Sequence, residues 1–514
     1  MISPTRALQA ADEGALDLEL VIAALSSRFA VSAGPGQRVR RRRLDTFDRR
    51  LLAAGLTLEH QVVSARNTPG ERLVLGRPDG LPPMAVPVAG LHWPALADAL
   101  PPGPVRDVIA PVSGIRALMV ASNDRRRMRR LELRNEDGKT VARVELDEPA
   151  SADCATAVLA QLTVQRLRGY DHEAERADRL LAGLGLRPVE NAAGYGSTCR
   201  PQTHHTHNPD RTAPAQALLA AALGDFLATM RENLPGLLDD VDSEFLHDFR
   251  VAVRRTRATL KLGRPALPEV MRTRWEPAFK QLGDLTTPVR DLDVYELDLP
   301  AMSRWLVTAD ATDLDPFAIH LQRRRTQARG ELVGSLTSAT FRALVTQWDD
   351  ELAGLALIPQ DSGLEPPSAG QLADQSISRA YRRVARDGAV IGAGSPAGDL
   401  HELRKRCKEL RYALDVFAPL IDPGARKRAG ADLKDLQDVL GRFQDSEVQR
   451  LALRGFAEEM MAQGTTAGAM LAMGELIGHL DVEQERARRE YDRVFARFGR
   501  PSSLTLIHRL GGGR

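Results

Sequence analysis

One pattern constrains this chain more than any other: a stripe of cations that occurs twice. His247-Asp248-Phe249-Arg250-Val251-Ala252-Val253-Arg254-Arg255-Thr256-Arg257-Ala258-Thr259-Leu260-Lys261 contains neither Gly nor Pro and reads as a helix. At about 100° per residue, His247, Arg250, Arg254, Arg257 and Lys261 fall on one stripe less than about a quarter-turn wide. A shift of 154 residues gives His401, Arg404, Lys408 and Arg411, with Asp415 in place of Lys261. The same shift pairs Leu260 with Leu414, Lys280 with Lys434, Leu282 with Leu436 and Asp284 with Asp438. Further on it pairs Asp291 with Asp445, Asp293 with Glu447 and Val294 with Val448. One constant offset over such a span is an internal duplication of a helical unit. Like charges three and four residues apart repel on a helix, so stability gives little reason for the stripe. A polyanion supplies one.

Local charge agrees. Net charge over the whole chain is only +2, so any anion site must come from local segregation of Arg and Lys. Residues 247–261 carry Arg250, Arg254, Arg255, Arg257 and Lys261 against Asp248; residues 401–411 carry Arg404, Lys405, Arg406, Lys408 and Arg411 against Glu402 and Glu409. Phe249, Val253, Leu260, Leu403, Leu410 and Leu414 flank the stripes and can anchor each helix in a bundle. Arg suits phosphate because its planar fork binds two oxygens at once, and Lys adds a point charge.

The two His-x-x-Arg helices, each followed by a Leu-x-x-Leu…Asp segment (Leu282 to Asp293, Leu436 to Glu447), resemble the CHAD family, the conserved-histidine α-helical domain. The resemblance covers roughly residues 215–500. It implies two four-helix bundles related by a pseudo-twofold, with a basic channel that binds inorganic polyphosphate. The residues expected to bind are His247, Arg250, Arg254, Arg255, Arg257, Lys261, Lys280, Arg323, Arg324, Arg382, Arg383, His401, Arg404, Lys405, Lys408, Arg411 and Lys434. Asp291 with Asp293, and Asp445 with Glu447, are expected to hold Arg residues at the bundle ends rather than a metal. His320 and His479 are expected to be structural.

Residues 1–190 read as β-rich. Alternating stretches recur at Leu18–Ile22, Leu56–Val63, Arg72–Leu75, Arg129–Arg134 and Val141–Leu146, and Asn135-Glu136-Asp137-Gly138 reads as a hairpin turn. Ser151–Gly169 and Glu173–Leu184 read as helices. Arg38–Arg43, with five arginines, reads either as a solvated strand face or as another anion contact. The run Asp45-Thr46-Phe47-Asp48-Arg49-Arg50-Leu51-Leu52-Ala53-Ala54-Gly55-Leu56-Thr57-Leu58 is similar to the CYTH family, the triphosphate-tunnel metalloenzymes. That family opens with Glu-x-Glu-x-Lys, whose carboxylates hold divalent metal and whose Lys meets phosphate. The best match here is Asp17-Leu18-Glu19-Leu20-Val21, and Glu59-His60-Gln61 and Gly76 stand where cations are expected. Asp17, Glu19, Arg116, Glu145 and Asp147 form at most a remnant of such a site, so the tunnel reads as degenerate and no residue is assigned a catalytic or metal-binding role.

The fold class expected is therefore α+β and multidomain: an antiparallel β tunnel-like domain over 1–190, a linker over 191–214, an all-α region over 215–500 with repeats at 215–358 and 370–500, and a tail over 501–514. Within the helical region, Pro235-Gly236 and Thr287-Pro288 are expected to interrupt helices. His204, His205 and His207 belong to the linker. Cys154, Cys199 and Cys407 match no metal or disulfide spacing, which favours a reducing cytoplasm, where the resemblance places polyphosphate granules. No run of eighteen apolar residues occurs, so no membrane span is expected. Aromatics are only 4%, so stacking platforms for nucleic acid are scarce. The function expected is polyphosphate binding without a cofactor. The alternative is a triphosphatase or polyphosphatase using Mg²⁺ or Mn²⁺ in the tunnel, with the helices recruiting substrate. Oligomeric state is not legible.

Overall fold

The computed structural model describes residues 6–9, 17–64, 70–78, 83–150, 160–188, 210–355 and 367–499. The chain divides into two compact units, Met1–Thr203 and His204–Arg514.

The first unit is a curled, wholly antiparallel sheet. Its strands are β1 (Arg6–Gln9), β2 (Ala30–Ala33), β3 (Gln37–Thr46), β4 (Thr57–Ser64), β5 (Gly70–Gly76), β6 (Met84–Val88), β7 (Leu118–Arg134), β8 (Thr140–Pro149), β9 (Gln161–Arg166) and β10 (Arg187–Pro188). They lie in the order β10-β1-β9-β8-β7-β3-β4-β5-β6, and β2 pairs with the end of β7. Four helices cover parts of one face: α1 (Leu18–Ser26), α2 (Arg50–Ala53), α3 (Pro104–Ser113) and α4 (Asp171–Ala182). One apolar cluster joins Leu131, Leu133, Leu146 and Leu162 of the sheet to Val21 and Leu25 of α1 and Leu181 of α4. A second joins Leu44, Leu58, Leu73 and Leu75 to Leu51 of α2 and Ile109 of α3.

Two expectations are corrected here. Leu18–Ile22 is not a strand but the start of α1. Asp17 caps it by accepting from Glu19 N at 2.9 Å, and Leu18, Val21, Ile22 and Leu25 recur at helical rather than alternate spacing. Nor is all of Ser151–Gly169 a helix: Gln161–Arg166 is β9, with Leu162 and Val164 buried and Gln161, Thr163 and Gln165 alternating with them. That is a period of two, which a strand satisfies and a helix does not. Residues 151–159 lie outside the described residues, as do His204, His205 and His207. The predicted hairpin joins β7 to β8, with Gly138 at φ 76° in its turn.

The second unit is all-α: α5 (Ala215–Leu238), α6 (Ser243–Leu262), α7 (Glu269–Met302), α8 (Asp315–Leu336), α9 (Ala339–Leu355), α10 (Ala369–Ala389), α11 (Ala397–Val416), α12 (Pro423–Ala462) and α13 (Ala467–Phe498). The duplication is visible in the helix starts. Helices α10, α11 and α12 each begin 154 residues after α5, α6 and α7. The repeats also meet at equivalent places, since the Tyr295 hydroxyl lies 3.5 Å from the carbonyl oxygen of Gln449, its counterpart position. Around that contact the distal halves of α7 and α12 share a core with α8 and α13, through Leu292, Phe317, Leu321, Leu453, Met473 and Leu476.

The prolines do not break helices as expected. Helix α5 continues through Pro235 to Leu238, and α7 through Pro277, Pro288 and Pro300. Pro288 deprives the Asp284 carbonyl of its helical donor. One carbonyl earlier, the Thr286 and Thr287 hydroxyls each donate to Gly283 O at 2.9 Å, which orients both hydroxyls at this turn. This altered turn of α7 is also where the first stripe docks.

Candidate functional site

Each stripe is positioned by an amphipathic helix. Asp242 caps α6 by accepting from Glu244 N and Phe245 N, while Phe245, Phe249, Val253 and Leu260 bury its apolar face. Leu400, Leu403, Cys407, Leu410 and Leu414 do the same for α11. The burial of Cys407 pushes its thiol up to about 12, as suits a core residue rather than a reactive one.

Helices α6 and α11 pack against one another, so the stripes of the two repeats meet. The Arg254 guanidinium sits 5.9 Å from the centre of the Tyr412 ring, and Arg255 lies 4.0 Å from Asp415. Lys408 is close enough to Arg404 and Arg254 to feel both. Burial first, and those two charges second, bring its ammonium down to about 8. Among the described residues, Arg250, Arg254, Arg257, Lys261 and Lys408 have no carboxylate oxygen within 4.0 Å.

The two halves are not equivalent. Arg250 Nη1 donates to Thr287 Oγ1 at 2.9 Å, Thr286 Oγ1 at 3.0 Å and the Gly283 carbonyl at 3.4 Å. Leu440 and Gly441 occupy the corresponding places in the second repeat, and there Arg404 pairs with Asp445 at 3.0 Å instead. His401 Nδ1 lies 2.7 Å from Gln444 Oε1, an oxygen that only accepts, so Nδ1 carries the proton. The counterpart of Gln444 is Arg290, whose charge lies near His247. Desolvation, reinforced by Arg290, holds the His247 imidazolium below its usual range. Arg290 itself is 3.9 Å from Glu244. Lys280 with Asp284, and Lys434 with Asp438, form identical exposed pairs at 2.9 Å. Arg257 is near Asp284 and Arg411 near Lys434, so both pairs border the stripes.

Other sequence-predicted residues go elsewhere. Arg323 donates to Gln463 and Arg324 pairs with Glu459, and Glu459 also holds the buried His320 at 3.0 Å. Fourteen residues of α12, about 21 Å of helix, separate Glu459 from Asp445. Arg383 lies 3.6 Å from Glu409, and Arg382 donates to Ser378 O of its own helix. Lys405 is taken by Glu402 at 2.7 Å. The structure thus sets His247, Arg250, Arg254, Arg257 and Lys261 on one of two packed helices and His401, Arg404, Lys408 and Arg411 on the other, while Arg323 and Arg324 lie against the far end of α12 and Arg383 pairs on the flank of α11, beside Lys408. Arg290 and Tyr412 were missed by sequence reasoning. Arg290 had a signal, because it breaks the offset against Gln444. His479 stacks on Trp305 with ring centres 4.3 Å apart, and Asp293 accepts from Arg325 at 2.7 Å, both structural contacts.

The remnant carboxylates of the sheet do not fit a divalent ion. Strand β1, which opens the sheet, runs Arg6-Ala7-Leu8-Gln9 and has no carboxylate at all. Asp17 is occupied as a helix cap and Glu19 lies exposed in α1. Asp147 accepts from Arg126 at 2.6 Å and Arg41 at 2.9 Å, Glu145 from Arg130 at 2.7 Å, and Arg116 lies 3.7 Å from Asp48. Glu59 stands 3.6 Å from both Arg41 and Arg43. Oxygens committed to guanidinium groups are poor ligands for Mg²⁺, which demands near-octahedral oxygens. Among the described residues, no three His, Cys, Asp or Glu side chains are grouped to hold a metal. Nor does any described helix have the length and apolarity to cross a membrane.

Residues 221–454 match the CHAD domain. Among solved structures, the chain is similar to the CHAD domain from the plant Ricinus communis, at 24% identity over 56% of this chain and 92% of that one, with a TM-score of 0.46. It is also similar to PptA from Streptomyces chartreusis, at 20% identity over 55% of this chain and all of the other, with a TM-score of 0.43. No curated protein matches the chain.

Proposed function

We propose that the CHAD domain of this chain binds inorganic polyphosphate along the contact between α6 and α11. The observation that carries the reading is the set of five cations from two repeats, Arg250, Arg254, Arg257, Lys261 and Lys408, of which none, among the described residues, has a carboxylate oxygen within 4.0 Å, Asp284, Asp291 and Asp445 acting on them only from farther off. His247, His401, Arg404 and Arg411 complete the contacts, and Lys280 and Lys434 assist once released from Asp284 and Asp438. A flexible linear polyanion can follow the helix pair and meet all of them, whereas duplex DNA carries its charge on a rod with a persistence length of about 50 nm. Competition tests this: long polyphosphate displaces duplex DNA at equal phosphate concentration, and the reverse preference would sink the proposal.

Binding depends on pH through Lys408. Its value near 8 means that it is mostly charged at pH 7 and mostly neutral at pH 9.5. A polyanion favours the charged form, so affinity falls as pH rises through that window. One charge-assisted contact contributes about 1.5 kcal/mol, or roughly tenfold. Titrations at pH 7 and 9.5 should show that difference in the wild type and lose it in Lys408→Met. An unchanged step in the variant would assign the titration elsewhere. Because His247 is shifted down, its charge adds a second tightening only in more acidic solution.

The sheet domain is proposed to be catalytically inert. Incubation with ATP or tripolyphosphate and Mg²⁺ or Mn²⁺ should release negligible phosphate, since Arg41, Arg126 and Arg130 occupy the carboxylates that a metal needs. Robust metal-dependent release, lost in Asp147→Asn, would overturn this.

A further inference from the structure

We propose that the outer face of the β3–β7 pair is a second docking surface for inorganic polyphosphate, independent of the helical site. Its basis is the alternation of strand side chains. Arg41 of β3 and Arg126 and Arg130 of β7 share the inner face and are each bound by carboxylates. Arg38, Arg40 and Arg42 take the opposite face, where Arg38 stands directly across from Arg127 and Arg40 from Arg125. Arg129 extends the row along β7. Among the described residues, none of these six has a carboxylate oxygen within 4.0 Å; Arg40 donates only to Asn123 Oδ1, at 3.3 Å. Glu148, opposite Arg127 across β8, stays beyond ion-pair distance.

The same two strands therefore treat arginine in two ways. On the inner face, where Arg41 and Arg126 are buried, carboxylates are supplied. On the outer face, like charges stand directly opposite one another, an arrangement that destabilises a sheet. Successive arginines on one strand are about 6.7 Å apart and the strands about 4.8 Å apart, which makes a compact ladder of forks. A linear phosphate chain can bridge such forks bidentately. No aromatic side chain stands on the ladder, so it lacks the stacking platform that single-stranded nucleic acid uses.

The test uses the full chain with the helical site disabled by Arg250→Ala, Arg254→Ala and Lys408→Ala. Residual binding of long polyphosphate at low salt is compared before and after adding Arg38→Ala, Arg40→Ala and Arg125→Ala. The expected result is at least a tenfold loss, a log–log salt slope shallower by about 2 for three contacts, and a melting temperature that is unchanged or higher. Residual binding that ignores the ladder substitutions overturns the proposal. So does a lowered melting temperature, which would make the arginines structural, or displacement of polyphosphate by oligothymidylate. If the helical-site variant binds as wild type while the ladder variant does not, the ladder stands and the helical reading falls.

Discussion

Alanine at Arg250 and Arg404 together should weaken binding of long polyphosphate by about two orders of magnitude. Each removes one charge-assisted contact of about 1.5 kcal/mol, and the two act at counterpart places in the repeats. The log–log salt slope should become shallower by about 1.4, since each lost contact forgoes about 0.7 of counterion release. The single variants should be unequal. Arg404 already has Asp445 at 3.0 Å and must leave it to meet phosphate, whereas Arg250 rests on neutral Thr286 and Thr287. Arg250→Ala should therefore cost more than Arg404→Ala. Alanine at Arg304 and Arg342, on other elements, is the control. A folded double variant with wild-type affinity and slope would mean that the stripes are not the site.

The second large effect concerns stability. Asp293 is 2% exposed, and its carboxylate accepts from Arg325, which also holds Asp240 at 2.7 Å. Asp293→Ala takes from Arg325 Nε its nearest partner, while Asp240 still holds both Nη atoms and Glu296 stands 3.5 Å from Nε, so it should destabilise the helical unit by about 2 kcal/mol, the scale of one hydrogen bond to a charged group. Urea denaturation would read this as a lower midpoint at constant slope. A change within about 0.5 kcal/mol would show that the pair is not structural. Protection of the wild type by Mg²⁺ would revive a metal role for Asp291 and Asp293.

What could be read from the residues divides along physical lines. The helical half was legible because a duplicated unit repeats its own error-checking: apolar anchors, cations and helix starts all recur at one offset. The helix runs on through Pro288 because proline removes a single donor from the local ladder, while α7 is held along its length by packing against α6 and α8, which needs three dimensions to see. Leu18–Ile22 was misread because five residues are too few to separate a strand from the first turns of a helix. The arginine run of β3 was legible as charge but not as geometry. Which arginines face inward depends on pairing register and on the bulge between Arg43 and Leu44, and partners such as Asp124 and Asp147 lie 83 and 106 residues away. For Arg323, Arg324, Arg382 and Arg383 the sequence shows only charge on helices of the expected bundles. Composition does not reveal that Glu459, Gln463 and Glu409 stand beside three of them while Arg382 turns back onto its own helix.

The most direct measurement is titration of the full chain with polyphosphates of graded length at several salt concentrations. A site built from both stripes predicts affinity that climbs steeply from tripolyphosphate to long chains. With roughly six to eight phosphates neutralised, it predicts a log–log salt slope of about −4 to −6 for the long chains. Equal affinity for tripolyphosphate and long chains, with a slope near −1, would contradict a site that spans the two repeats.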